Sequence, residues 1–262
     1  WNAGKYLGDC LRSLYDNPPD VSWEVLVVDN ASTDGSPEMV RREFAGVKLI
    51  TNASNLGFAS ACNLGARNSS SKYILFLNPD TLVHPRTLTL AVKFMEDHPE
   101  AAIMGCRTIG ADGRIQPTAF DFPGPLRLFG LFSGLNRLFK VTRLKNLSRI
   151  RNPDYVQGSF FLIRREIFDT VGGFDQSFFM YAEDVDLCLR VRHSGGTIYY
   201  VPLMTITHQG GGSAVNTLQS LENYSRSLVL LYQKHKSPRD LGRLRRVMRL
   251  GLFVREYLDS RR

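Results

Sequence analysis

Short apolar runs alternate with helix-patterned stretches through the first half of the chain. Glu24–Asn30, Val47–Thr51 and Tyr73–Leu77 are apolar runs rich in branched side chains, the pattern of strands buried on both faces. Between and after them, residues 4–16, 36–45, 58–69 and 85–96 carry apolar positions at helical spacing. This alternation predicts an α/β fold built on a single, mostly parallel sheet flanked by helices. In open sheets of that kind, ligands bind beyond the carboxyl ends of the strands. Asp29-Asn30 and Asn78-Pro79-Asp80 both fall at such ends.

The second half is less regular. Residues 101–118 read as a strand with a turn at Gly110–Gly113, Tyr155–Ile163 as a strand, 184–194 as a helix and Thr197–Val201 as a strand. Residues 125–150 place Leu128, Phe129, Leu131, Phe132, Leu135, Leu138 and Phe139 at roughly helical spacing among basic residues. Residues 217–258 are mostly helical in pattern, with Pro238 interrupting them or starting a new helix.

Several segments combine oxygen donors with a turn. Asp29 and Asn30 close a strand before a polar turn and a helix start, where free N–H groups suit phosphate. Ordinary turn chemistry with an N-cap accounts for the same residues. Asn55 and Gly57 precede the next helix, and Gly57 permits close backbone approach. In Asn78-Pro79-Asp80, Asp80 is a firm ligand for a hard cation and Asn78 a weaker, neutral one; a strand-ending turn is the plainer account. Glu183, Asp184 and Asp186 crowd one helix start after the aromatic run Phe178–Tyr181. The helix dipole favours one or two such acids. An apolar surround would raise a carboxyl pKa toward that of a useful base. His208 ends a strand-like run before Gly210-Gly211-Gly212 and is a third metal ligand, a pyrophosphate contact or a structural histidine.

Composition narrows the setting. The 262 residues, 43% hydrophobic, can fill a core in one large domain or two small ones. Cys10, Cys62, Cys106 and Cys188 are scattered without metal-ligand spacing, which predicts reduced thiols in a cytoplasmic setting. No apolar run is long enough to span a membrane. The formal net charge of +8 is uneven. Residues 127–151 carry seven Lys/Arg and no acid, and residues 234–262 carry ten Lys/Arg and three acids, leaving the rest net negative. Basic segments imply anionic partners such as a membrane surface, a phosphorylated lipid or nucleic acid.

Taken in order, VVDNASTDGS, NLGFASACNLG, FLNPD, GGFDQSFFMYAEDVDLCLR and HQGGGS resemble the family 2 glycosyltransferases of GT-A fold, over residues 1 to about 215. The resemblance is to the bacterial rhamnosyltransferase-like branch. It implies a GT-A domain over 1–215 and a basic helical C-terminal extension over 216–262. It also implies that Asp29 contacts the nucleotide base with Asn30 beside it, that Asn55 and Gly57 belong to the nucleotide-sugar site, and that Asn78 and Asp80 sit at the diphosphate with Mg²⁺ or Mn²⁺. Asp184 would be the base that deprotonates the acceptor hydroxyl, Glu183 its support, and His208 the late metal ligand. The reaction would be an inverting transfer of a sugar, a deoxysugar such as rhamnose, from a nucleoside-diphosphate donor. The acceptor would be a saccharide or a lipid-diphosphate-linked hydroxyl in cell-envelope polysaccharide synthesis.

Two departures stand out. The family's first strand precedes Trp1, which predicts a missing N-terminal segment, and Asn78 replaces the first acid of the usual metal motif. The QxxRW-type motif of processive synthases is missing, since the tryptophans are Trp1 and Trp23. That favours single additions. The basic stretches 126–151 and 239–262 fit peripheral contact with an anionic membrane at its inner face. A sugar nucleotidyltransferase is the nearest rival, but the Glu183-Asp184 pair favours sugar transfer. A non-catalytic membrane- or nucleic-acid-binding module is another. The basic segments lack the aromatic platforms of single-strand binding, so no nucleic-acid partner is expected.

Overall fold

The computed structural model describes residues 1–135, 147–209 and 218–259. The predicted alternation is present as α1 (Gly4–Asp16), β1 (Val25–Asp29), α2 (Ser36–Glu43), β2 (Val47–Thr51), α3 (Phe58–Arg67) and β3 (Tyr73–Leu77). A short β4 (Thr81–Val83) follows the Asn78-Pro79-Asp80 turn, and α4 (Thr87–Asp97) leads to a hairpin of β5 (Ala101–Gly110) and β6 (Ile115–Gln116). Then come β7 (Ala119–Phe120), α5 (Pro125–Ser133), β8 (Tyr155–Val156), β9 (Phe160–Arg164) and α6 (Arg165–Thr170). The chain continues with α7 (Glu183–His193), β10 (Thr197–His208), α8 (Leu218–His235) and α9 (Pro238–Asp259). Pro238 opens a helix, as its fixed φ and missing N–H allow at a first turn.

The α/β class holds, but the expected single, mostly parallel sheet does not. The main sheet runs β3-β9-β5-β10-β4 with β6 on β5, and in it β5–β10 alone is parallel. β9 enters between β3 and β5 antiparallel to both. β1 and β2 form a separate parallel pair, and β7 with β8 a third, antiparallel one. An apolar run such as Phe160–Ile163 carries no record of its direction, so alternation in sequence could not reveal the reversal. The strand expected over Tyr155–Ile163 is likewise split, because Gln157–Ser159 steps from one sheet to the other. β10 runs past Val201 to His208 through a register shift between Val201 and Thr205, the kind of bulge that tolerates Pro202.

β9 divides the core into two layers. Phe161 and Ile163 face a layer shared with α3, α6, α7 and α8, and Phe160 and Leu162 face one shared with α1, α2 and α4. Leu228, Leu231 and Tyr232 of α8, and Leu244 and Met248 of α9, belong to the first layer. The division expected near residue 215 lies outside the described residues, as do residues 136–146 of the basic stretch. Within that stretch, the described helix ends at Ser133, with Gly134 as its left-handed cap at φ 74°. Among the described residues, no helix is long and apolar enough to cross a membrane.

Asp186 ties α8 to the sheet domain. It is 1% exposed, accepts a hydrogen bond from Arg190 at 2.8 Å and lies 2.7 Å from His235 Nε2. Lys234 pairs with Asp175 nearby. This explains the third acid at the α7 start as a structural anchor. Asp186→Ala leaves two basic groups facing an apolar layer, and it should lower the unfolding free energy by about 3–5 kcal/mol in urea titration.

Candidate active site

The residues singled out in sequence form three groups, linked to one another by backbone contacts. At the end of β1, Asp29 Oδ2 accepts the Ser32 backbone N–H at 3.0 Å, which fixes the carboxylate over the following turn. Asn30 is buried and bridges two segments. Its amide donates to the Gly57 carbonyl at 3.1 Å and its oxygen accepts from Asn52 at 2.8 Å. Asn55 Oδ1 accepts the Gly57 N–H at 3.0 Å. Gly57 has φ 83°, a conformation reserved for glycine, and the Phe58 N–H donates to the Phe179 carbonyl at 3.0 Å. A Cβ at Gly57 would lie 2.5 Å from that carbonyl oxygen. The start of α3 is therefore pressed against the loop that carries the acid pair.

The second group lies at the end of β3. The Asn78 N–H donates to the Ser159 carbonyl at 3.3 Å, and its own carbonyl accepts from Thr81 Oγ1 at 2.7 Å. β4 pairs antiparallel with the end of β10, setting Thr81 opposite His208. Asp80 Oδ1 thereby lies 3.1 Å from His208 Nε2, and the Asn78 amide lies 3.5 Å from the same nitrogen. His208 is buried, and its Nδ1 is 3.2 Å from Gln116 Oε1 on β6. A ring N–H shared with such a partner orients an imidazole as a ligand through its other nitrogen. Two donors at neighbouring vertices of an octahedron of about 2.1 Å radius lie about 3 Å apart, so the Asp80–His208 spacing fits a common cation. Among the described residues, no group of three His, Cys, Asp or Glu converges, so such an ion would draw its other ligands from Asn78, water or substrate phosphate. The glycines at 210–212 lie outside the described residues.

The third group lies at the α7 start. Tyr181 and Ala182 both have positive φ, 70° and 64°, which turns the chain sharply into Glu183. Asp184 Oδ2 accepts the Gly158 N–H at 3.1 Å and Oδ1 the Val185 N–H at 2.8 Å. Glu183 is buried, and its Oε2 has no hydrogen-bond partner. Burial raises both carboxyl pKa values, and the charge of Asp184 raises that of Glu183 further. Two backbone N–H groups donate to Asp184 and favour its charged form, whereas Glu183 Oε2 has no such donor, so the negative charge of the pair is best held on Asp184.

Sequence reading missed Gly158, Gln116 and the positive-φ pair. Gly158 acts through a backbone N–H, which any residue carries, and Gln116 is brought to His208 by a hairpin. Gly158 alone left a trace, as a glycine before an apolar run.

A family model described as Glycosyl transferase family 2 matches residues 1–172. The chain belongs to this family. It is a nucleotide-sugar-dependent glycosyltransferase of GT-A fold. It is 29% identical over 255 residues to the N-acetylglucosaminyl-diphospho-decaprenol L-rhamnosyltransferase of Mycobacterium tuberculosis, covering 90% of this chain and 83% of that protein. It is 28% identical over 217 residues to the rhamnosyltransferase WbbL of Escherichia coli K12, covering 78% of each. In structure it is similar to the mannosyltransferase PcManGT of Pyrobaculum calidifontis in complex with GDP-Man and Mn²⁺. The TM-score is 0.62 at 20% identity, over 97% of this chain and 67% of that one.

Gly57→Ala tests the contact between the first and third groups. It should lower stability by at least about 2 kcal/mol in thermal or urea unfolding, because the new Cβ meets backbone rather than a movable side chain. Nucleoside-diphosphate binding should weaken with it in calorimetry.

Proposed function

We propose that this family 2 enzyme transfers a deoxysugar of the rhamnose type, with inversion, from a nucleoside-diphosphate donor to a hydroxyl of a lipid-diphosphate-linked saccharide. The observation that carries this reading is Asp184, a carboxylate desolvated at a helix start and aimed by the Gly158 N–H. Asp29 and Asn30 hold the base and ribose side of the donor, and Asn55 and Gly57 shape the wall beside it. Asp184 takes the proton as the acceptor oxygen attacks the anomeric carbon. The bond to the diphosphate breaks on the opposite face, and the nucleoside diphosphate leaves with the electron pair. Glu183 lies beside Asp184 with its Oε2 free of hydrogen bonds, and in its protonated form it supports Asp184 without adding a second negative charge. Asp80, His208 and Asn78 would hold a divalent ion, Mg²⁺ or Mn²⁺, which when bound neutralises the departing diphosphate. The named rhamnosyltransferase relatives support the donor and acceptor classes. Family membership sets aside the nucleotidyltransferase and binding-module readings.

Transfer should be followed with dTDP-rhamnose and a prenyl-diphosphate-linked N-acetylglucosamine. Asp184→Asn should cut kcat by about 10²–10⁴ with dTDP binding retained. The active form needs Asp184 ionised and its pKa is raised, so activity should climb with pH through a limb above the ordinary aspartate range. Asp80→Ala should abolish the thermal shift that dTDP produces with Mn²⁺. Full turnover in Asp184→Asn, or a limb at the ordinary aspartate value, would sink the assignment.

The acceptor class calls for a bilayer, and α9 offers a face for one. Leu250, Phe253 and Tyr257 are 57%, 65% and 48% exposed along one stripe, with Arg246 and Arg249 beside them. In co-sedimentation with phosphatidylglycerol-containing vesicles, the bound fraction should fall several-fold in Leu250→Ser/Phe253→Ser and in high salt. Equal binding to purely zwitterionic vesicles would argue against this face.

A further inference from the structure

We infer that Arg127, at the first turn of α5, forms a subsite for the phosphate groups of the acceptor, next to the base. This rests on the proposed reaction for its acceptor, but on the following geometry for its place. Of the described cations in the basic stretch, Arg149 is exposed and Arg151 is bound to the Ala119 carbonyl. Arg127 instead turns inward. It is half-buried, its guanidinium lies 4.3 Å from the centre of the Phe120 ring, and Nη1 donates to the Asp121 carbonyl at 3.3 Å. Among the described residues no carboxylate lies within ion-pair distance of it. A guanidinium stacked on an aromatic ring, with donors to spare, is pre-set for bidentate phosphate recognition.

Its position relative to the base follows from the strands. Phe120 pairs across β7 and β8 with Tyr155, ring centres 5.4 Å apart. Tyr155 stands three residues before Gly158, whose N–H holds Asp184, and Ser159 follows with its carbonyl on Asn78. The order along this segment is therefore Arg127 with Tyr155, then the base, then the Asn78 side. Three residues of extended chain span at most about 10 Å. That matches a sugar ring between a reacting hydroxyl at Asp184 and a phosphate at Arg127. The hydroxyls of Tyr155 and Tyr224 report the same closeness. Burial raises both, Tyr224 to about 12, while the Arg127 cation opposes and the Asp184 charge adds to the rise. The donor diphosphate belongs to the far end of the segment, by Asp80 and His208.

The same helix turn walls a half-open groove of about 330 Å³ with mixed walls. Its lining includes Phe122, Leu128 and Tyr232 together with Asp240, Arg243 and Lys236, the last stacked on Phe122 at 4.2 Å. A cation beside a groove that offers both apolar and basic walls suits a prenyl diphosphate, whose hydrocarbon tail and charged head meet both.

The test uses geranyl diphosphate as probe, in calorimetry on the full chain with saturating dTDP and Mn²⁺ to fill the donor site. Wild type should bind it, and more tightly than inorganic diphosphate. Arg127→Met should weaken it at least tenfold, and Arg127→Lys less, because an ammonium keeps the charge and loses the fork. In transfer assays, Arg127→Met should lower kcat/KM for a diphosphate-linked acceptor relative to an uncharged alkyl glycoside of the same sugar by a similar factor. Unchanged affinity in Arg127→Met, or an equal fall with both acceptors, would overturn the subsite. So would displacement of geranyl diphosphate by dTDP, which would assign the cation to the donor. Intact, Arg127-dependent binding without turnover of any nucleotide sugar would uphold the subsite and count against the proposed reaction alone.

Discussion

Everything at this site hangs from a three-residue bridge, Gln157–Ser159, between two sheets. The Gly158 N–H fixes Asp184, and the Ser159 carbonyl fixes the backbone of Asn78. Phe160 then enters the main sheet beside Leu77. One short run of backbone thus sets the distance between the Asp184 carboxylate and the Asn78-Pro79-Asp80 turn. Backbone groups of the bridge suit this task, since on their side no rotamer has to be frozen and the side chains of the bridge can change around them.

Gly57 supplies the complementary constraint. Its carbonyl is held by Asn30, its N–H by Asn55, and its missing side chain lets Phe179 approach. The end of β1 and the loop that carries Glu183 and Asp184 are thereby tied together through the start of α3. α8 closes the arrangement from outside through His235, Lys234 and Ser227, which reach Asp186, Asp175 and the Met180 carbonyl.

Much of this was legible in the chain. β1 and β3 announce themselves as apolar runs, and the residues at their ends are the polar ones that punctuate a strand. Asp80 and His208 each follow such a run, the family resemblance joined them as metal ligands, and the structure brings them to 3.1 Å. What joined them, β4 antiparallel to β10, was not legible, since three residues after a turn give no period to read. The reversal of β9 was hidden for a related reason: strand direction is decided by long-range pairing, which local pattern does not encode. Asp186 looked like its neighbours Glu183 and Asp184, and its different duty is set by Arg190 and His235. Arg127 was one of seven cations in a basic stretch until Phe120 and Tyr155 set it apart.

The paired left-handed residues before the Glu183-Asp184 pair, Tyr181 and Ala182, have an outcome beyond geometry. Each non-glycine residue so placed stores on the order of 1 kcal/mol or more, and surrounding contacts must hold it there. Tyr224 packs on the Tyr181 ring with centres 6.1 Å apart, and Ser227 holds the neighbouring carbonyl. The turn is a loaded spring with α8 as its catch. Changes on α8 can therefore shift Asp184 mechanically, by letting the backbone relax, without altering any charge near it.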